Sequence, residues 1–381
     1  MKIKLIILFI ISIYSCSQLK EKEINKTNNI ITIDINAESP CIQNKLKISK
    51  IISLETKKES IIGRIVKIKY RNNKFFILDR DTHRLLVFDT EGDFVQEIGR
   101  RGRGPGEHDE LRDFSISNDD LIYLLTYNQI IAYNIEGKFI RTINIKPDKN
   151  IHLNPLQFAT INGNDFYLWQ GTFDWNIEKE RMPFLMYKMS SDGELTNDNY
   201  FPTVRRIMGS RTQFLPSYDG ININPPFGVY SIYQISEKDI FENIRIDFGK
   251  NSFPANQLES GFSEIVGQQE RELMNSSNYC VGINNFLESK DYYYFTFIHE
   301  GIIKQTIYSK KTKNYAIGNF SIFTNITCIK GNSFICAVDP FYFKNISPNI
   351  ITNAEIYNSL RDLTVDIDAN PIILQFEICD F

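Results

Sequence analysis

Residues 74–98, KFFILDRDTHRLLVFDTEGDFVQEI, hold three apolar runs separated by two polar breaks. Ile77-Leu78-Asp79 closes the first run, His83 to Asp89 (HRLLVFD) forms the second, and Glu91-Gly92-Asp93-Phe94-Val95 turns into a third that ends at Ile98. The pattern returns once: Ile130 to Asn134 (IIAYN) runs into Glu136-Gly137-Lys138-Phe139-Ile140 and ends at Ile143. Glu91 and Glu136, Gly92 and Gly137, Phe94 and Phe139, and Ile98 and Ile143 all stand 45 residues apart. A unit of that length, made of short strands and glycine turns, is the period of a β-propeller blade.

Working outward, the first blade takes residues 61–70, 74–78, 84–89 and 94–98 as strands, with Asn72-Asn73 and Glu91-Gly92 as hairpin turns. Asn and Gly supply the positive φ that such turns demand. The second blade takes residues 114–117, 121–125, 130–134 and 139–143. Beyond Asp148 the repeat weakens, yet its parts persist. Residues 156–161, 165–169 and 184–189 with the turn Ser191-Asp192-Gly193-Glu194-Leu195 make a third blade, lengthened by a loop around Trp175. Residues 213–215, 230–235 and 244–248 make a fourth, and 280–287, 292–298, 302–308 and 314–317 a fifth. Residues 324–329, 333–338 and 372–378 supply three strands of a sixth. A circular array needs pairing across its seam, and the isolated run 30–35 (IITIDI) is expected to complete that last blade. The expected fold is all-β, a six-bladed propeller of four-stranded blades closed by an N-terminal strand. Two polar stretches, 256–274 and 352–363, break the strand rhythm and read as short helical insertions anchored by Ile265, Leu273, Ile356 and Leu360.

The chain opens with a targeting segment that stands outside the fold. Lys2 and Lys4 give a positive start, residues 5–13 an apolar run too short to span a bilayer as a mature helix, and Ser15-Cys16 a small residue before cysteine. Ile13-Tyr14-Ser15-Cys16 resembles a bacterial lipobox, with Tyr14 departing from the usual small or aliphatic residue. Residues 1–15 would then be removed, Cys16 would carry the lipid, and 16–29 would act as a flexible tether to a single domain at 30–381. An ordinary secretory signal is the alternative. Five cysteines remain, Cys41, Cys280, Cys328, Cys336 and Cys379, an odd number that leaves at least one free thiol. Cys328 and Cys336 flank a turn and could face each other across a hairpin, although two small buried thiols fit the pattern better. A net charge of −3 offers no general grip on nucleic acid.

Leu54-Glu55-Thr56, Ile77-Leu78-Asp79, the run from His83 to Asp89, and Ile98-Gly99 followed by Gly102-Arg103-Gly104-Pro105-Gly106-Glu107 together resemble the six-bladed β-propeller family related to NHL repeats. More closely, the chain is similar to the lipoprotein branch of that family found in gut Gram-negative anaerobes. Asp247-Phe248-Gly249-Lys250 and Asn370-Pro371-Ile372-Ile373-Leu374 look like its fourth-blade and final-strand motifs. His108-Asp109 and the long third-blade loop depart from it. The resemblance implies fold and export far more than activity.

Three groups of residues invite a functional reading. Arg100, Arg101 and Arg103 lie on a glycine-rich loop ending at His108, where guanidiniums and exposed N–H groups suit a carboxylate, sulfate or phosphate. A junction between blades, with the arginines solvated, is the simpler account of the same loop. Trp169 and Trp175, near Tyr167 and Phe173, suit a platform for sugar stacking, or else Trp169 packs between blades. Asp79 and Asp89 stand at strand ends, where Asp side chains usually hold turn backbone. The four histidines, His83, His108, His152 and His299, are scattered, and the chain carries no GxSxG, HExxH or CxxCH. No cofactor or metal is expected, and a catalytic set is not legible. The expectation is a monomeric binding module of the cell envelope, lipid-anchored to a bacterial membrane, in the first instance the outer one, with a protein or glycan ligand. A propeller lyase or hydrolase working through channel residues, or a glycan-capture accessory protein, are the alternatives.

Overall fold

The computed structural model describes residues 21–146, 151–170, 184–202, 212–225, 229–253, 272, 274–322, 326–343, 346–379 and 381. Six antiparallel sheets form the blades of a propeller. Blade 1 runs Ile65–Arg71, Lys74–Asp79, Arg84–Asp89 and Phe94–Ile98 from the axis outward, and blade 2 runs Asp113–Ile116, Ile122–Leu125, Gln129–Tyr133 and Phe139–Asn144. Blade 3 comprises Pro155–Ala159, Asp165–Gln170, Phe184–Ser190 and Leu195–Pro202. Blade 4 comprises Phe214–Pro216, Ile221–Ile223, Ser231–Ile235 and Ile240–Asp247, and its short second strand has too little apolar sequence to be read in advance. Blade 5 comprises Val281–Glu288, Tyr292–His299, Ile302–Ser309 and Tyr315–Gly318.

Blade 6 corrects the expected closure. Its inner strands are Ile326–Lys330, Ser333–Val338 and Ile372–Ile378, but its outer strand is Leu46–Ser53, paired antiparallel from Leu46 opposite Ile378 to Ser53 opposite Ile372. The ring is closed by an N-terminal strand, as expected, though by a later one than residues 30–35. Ile30–Thr32 instead adds a fifth strand to blade 4, parallel to its outer strand with Ile31 opposite Ile246. The alternation in IITIDI serves both placements equally, because either edge buries one face and leaves the other to solvent. The segment before it, from Glu21, is also docked: Lys22 Nζ lies 3.1 Å from Asp198 and 2.9 Å from Asp239, and Asn25 bridges to Phe241. Farther on, Cys41 bridges to Ile317 on the outer strand of blade 5. Residues 21–53 thus follow the outer edges of blades 3 to 6, covering strand edges that would otherwise be open to pairing.

Both faces of each middle strand are buried, which explains why the strands read as continuous apolar runs. Along Lys74–Asp79, Phe75 and Ile77 pack toward blade 6 with Ile335 and Ile373, while Phe76 and Leu78 pack toward blade 2 with Phe114 and Leu124. Each such side chain removed from water contributes about 1.5–3 kcal/mol, so the core is a ring of layers between blades. The repeat glycines sit in these seams. Gly92 (φ +96°) and Gly137 (φ +82°) occupy hairpin turns that abut the outer strand of the preceding blade, so that a Cβ on Gly92 would overlap the Ser53 carbonyl and one on Gly137 would meet Ile98. Asp89 Oδ1 holds the first turn by accepting from the N–H groups of Glu91, Gly92 and Asp93 at 2.9–3.0 Å, and Asn134 does the same for Lys138 at 2.7 Å. Asp79 is fully buried and accepts from Gly63, Arg64 and Asp81 N–H and from the Thr82 hydroxyl. Both aspartates therefore hold turns.

Of the two expected helical insertions, residues 352–363 contain the helix Ala354–Arg361, capped by Asn353, with Ile356 and Leu360 fully buried. Residues 256–271 of the other lie outside the described residues. Cys328 and Cys336 are buried free thiols on adjacent strands, and they point to opposite faces of blade 6, one toward blade 1 and the other toward blade 5. No disulfide joins them.

Candidate functional site

The first strands of the six blades surround the axis. In blade 1 that strand reads Ile65-Val66-Lys67-Ile68-Lys69-Tyr70-Arg71, and the period of two sends Lys67, Lys69 and Arg71 to one face, against the first strand of blade 2. Lys67 Nζ is buried, 2.7 Å from Asp113 Oδ1 and 2.9 Å from the Phe114 carbonyl. The other Asp113 oxygen accepts from Phe158 N–H of blade 3 at 3.0 Å, so one carboxylate ties three blades together. Arg71 Nε donates to Asp120 Oδ1 at 2.5 Å and its Nη2 to the Asn118 carbonyl at 2.8 Å. Between them, Lys69 Nζ reaches only the Ser115 hydroxyl, at 3.4 Å. Lys67 and Arg71 are neutralised by carboxylates; Lys69 has none among the described residues.

Lys69 lines a cavity of about 500 Å³ at one end of the channel. Arg71, Ser117 and Asn118 stand on one side, and the hairpin from Pro216 to Ile221 of blade 4, carrying exposed Tyr218, stands on the other. Lys67 and Asp113 line a second cavity of about 200 Å³ with His83 and Arg112, formed by the opposite ends of the same inner strands. Burial, reinforced by the neighbouring Lys67 ammonium, lowers the Lys69 pKa to about 7.

Arg100, Arg101, Arg103, His108 and Trp169, singled out in the sequence, do not line this cavity. Arg100 and Arg101 form a two-residue parallel ladder with Glu107 and His108. Glu107 occupies the place an anion would take: it accepts from Arg100 Nε at 2.6 Å and from Gly104 N–H at 2.8 Å, and these bonds hold its carboxyl below the usual range. Arg101 and Arg103 are exposed. The loop docks on blade 2, where the Tyr133 hydroxyl donates to the Gly106 carbonyl at 2.5 Å and Phe139 packs against Gly106. His108 is buried, with neither ring nitrogen hydrogen-bonded, and burial lowers its pKa. Trp169 is buried between blades 3 and 4 against Phe201 and Phe214. Trp175 and Cys16 lie outside the described residues. No group of three or more His, Cys, Asp or Glu gathers among the described residues. Lys67, Lys69 and Arg71 were missed as a set, although their spacing of two on a strand assigned to the ring was a visible signal.

A family model, Domain of unknown function (DUF4934), matches residues 30–377. The chain belongs to this family. The span begins at the strand that pairs with blade 4 and ends in the last strand of blade 6, so the match takes in all six blades and the N-terminal wrap from Ile30 onward. Among solved structures, the chain resembles a Bacteroides fragilis protein described as a "Putative exported protein", at 16% identity and a TM-score of 0.71, with 92% of this chain and 100% of that one covered. It also resembles a member of the DUF4221 family from Bacteroides vulgatus, at 13% identity and a TM-score of 0.54, with 89% and 100% covered. Both likenesses are of fold. No curated protein matches the sequence.

Proposed function

We propose that this DUF4934 chain is an exported, lipid-anchored binding module that takes a ligand into the larger axial cavity. The observation that carries the reading is the cavity itself. Its volume of about 500 Å³ falls within the range of small-ligand sites. Its walls offer a cation with no ion-pair partner among the described residues, the exposed amide of Asn118, and an exposed tyrosine 59% accessible. The scaffold suits such a role, because six rigid blades position loops and strand ends around one axis.

Export and anchoring rest on the leader, where a lysine start, an apolar run and Cys16 follow the order of a lipoprotein signal. The Bacteroides fragilis likeness, a protein whose own description is of export, agrees with this, as does the resemblance to NHL-related lipoprotein propellers. Replacing Cys16 with Ala should release the protein from the membrane fraction; retention of that variant with unchanged mobility would refute the anchor. For binding, the test is an array of defined oligosaccharides and peptides probed with the full chain and with Asn118→Trp. Asn118 is exposed on the cavity wall and its side chain makes no hydrogen bond among the described residues, so the indole should obstruct the cavity and leave the blades intact. Binding lost in this variant supports the reading; binding unaffected by it places the ligand elsewhere and overturns it.

A further inference from the structure

We propose that the ligand of the axial cavity is an anionic saccharide of the uronate type, its carboxylate seated on Lys69 and its ring lying along Tyr218; this rests on the binding reading above. Three features of the cavity select that chemistry. The first is charge. On the strand that carries Lys67, Lys69 and Arg71, the outer two cations are matched by Asp113 and Asp120, and among the described residues the central one hydrogen-bonds only the Ser115 hydroxyl. Lys69 is half-buried, and an ammonium withdrawn from water without a paired carboxylate is costly, so an incoming carboxylate would be favoured there. The second is the polarity of the walls. Exposed Asn118 lines the cavity together with Asp219, and its amide gives a donor and an acceptor suited to ring hydroxyls rather than to an apolar side chain, while the buried Ser117 hydroxyl beside it is engaged with the Leu121 backbone. The third is the exposed ring of Tyr218 at the mouth, a flat face of the kind sugars stack on.

The geometry also fixes how binding responds to pH. Burial, Lys67 and Arg71 favour the neutral amine at Lys69 over the opposing pull of Asp113 and the Cys328 sulfur, Asp219 stands exposed on the same cavity, and a bound carboxylate would favour the ammonium. Binding is therefore accompanied by proton uptake at Nζ, and affinity declines as pH rises through about 7. Linkage at a single site of that pKa makes binding about tenfold weaker at pH 8 than at pH 6.

Glucuronate and glucose differ at one carbon, a carboxylate against a hydroxymethyl group, and so isolate the charge. Isothermal titration of the full chain should show glucuronate binding at least tenfold more tightly than glucose. Its affinity should fall about tenfold from pH 6 to pH 8, with buffer-dependent heats reporting proton uptake. Lys69→Met should abolish the preference for glucuronate. Lys69→Arg, whose guanidinium stays charged, should bind glucuronate with a flat pH profile. Retention of glucuronate binding by Arg with loss by Met, in variants that melt cooperatively, separates recognition from misfolding. Equal affinities for glucose and glucuronate, an unchanged preference in Lys69→Met, or no glucuronate binding at all would each overturn the inference. So would glucose 6-sulfate binding in place of glucuronate, which would assign the cation to a sulfated sugar. A ligand from the array that is blocked by Asn118→Trp but indifferent to Lys69 would sink the uronate assignment and leave the binding reading standing. Ligands indifferent to Asn118→Trp would sink both.

Discussion

The account of the blade seams makes a quantitative comparison between two glycines. Gly331 (φ +59°) turns the hairpin between Lys330 and Ser333, and a Cβ there would meet nothing within 4 Å. Gly331→Ala should therefore cost only the left-handed backbone strain, about 1–2 kcal/mol, partly offset by the reduced freedom of the unfolded chain. Gly92 has a positive φ too, but its Cβ would collide with the Ser53 carbonyl and the Ile52 side chain on the strand that closes the ring. The collision is with backbone, and the Gly92 carbonyl must also stay in place to accept from Glu55 N–H at 2.8 Å. Overpacking of this kind adds about 1–3 kcal/mol, giving roughly 2–5 kcal/mol for Gly92→Ala in all. Urea unfolding of the two variants beside the parent, with the slope held common, reads the difference directly. If Gly92→Ala is no more destabilising than Gly331→Ala, the turn glycine does not mark blade-to-blade contact, and the reading of the 45-residue repeat as a seam device is wrong.

Asn370 locks the ring from the other side: its Oδ1 accepts from Ile62 N–H at 2.8 Å, and its Nδ2 donates to the Glu55 and Ser60 carbonyls at 2.7 and 2.8 Å. Asn370→Ala strands these three groups and should cost roughly 3–5 kcal/mol, with faster amide exchange at Ile62; unchanged exchange there would refute the lock. For Lys69, the pKa of about 7 in the folded protein lies below the unfolded 10.5, so the unfolded chain binds more protons between those values. Stability attributable to this group thus rises with pH across that window. Lys69→Met should stabilise the protein at pH 7, and its advantage over the parent should shrink by roughly 1–2 kcal/mol by pH 9, allowing for the group's partial exposure. An advantage independent of pH would show that Lys69 titrates normally. Burial raises the thiol of Cys328 to about 12 and that of Cys336 higher still. A thiol reagent should label exposed Cys379 in the native protein and reach Cys328 and Cys336 only after unfolding; early labelling of either would contradict their placement.

The parts of the fold legible in the sequence are those where local pattern and tertiary role coincide. Blades 1 and 2 are written in short apolar runs and turn residues, and Asn72 and Asn73 take the positive φ that their hairpin requires. The seam was less legible. Leu46–Ser53 reads LKISKIIS, a mixed surface strand that local pattern does not distinguish from an edge anywhere else, and IITIDI looked the stronger candidate. Which edge a strand joins depends on contacts with residues some 200 to 330 positions away, as Ile31 opposite Ile246 and Leu46 opposite Ile378 show. Even so, two motif fragments, Leu54-Glu55-Thr56 and Asn370-Pro371, prove to bind one another, since Asn370 N–H donates to the Thr56 hydroxyl at 2.9 Å. At the candidate site the contrast is sharper. The arginine-rich loop drew attention by composition, yet its anion-binding groups are engaged by its own Glu107. Lys69 is unremarked in sequence, and its properties come from desolvation within the fold and from Lys67 beside it, opposed by Asp113, whose ion pair is with Lys67.

The central claim is that the axial cavity between blade 1, blade 2 and the Tyr218 hairpin is where this propeller meets its ligand. The most direct measurement is a crystal structure of the full chain soaked with glucuronate at pH 6. The account predicts density in that cavity, with a carboxylate within hydrogen-bonding distance of Lys69 Nζ and a ring against Tyr218. Density confined to the outer rim or to the loop between Arg100 and His108, with the axial cavity holding only solvent, would contradict it.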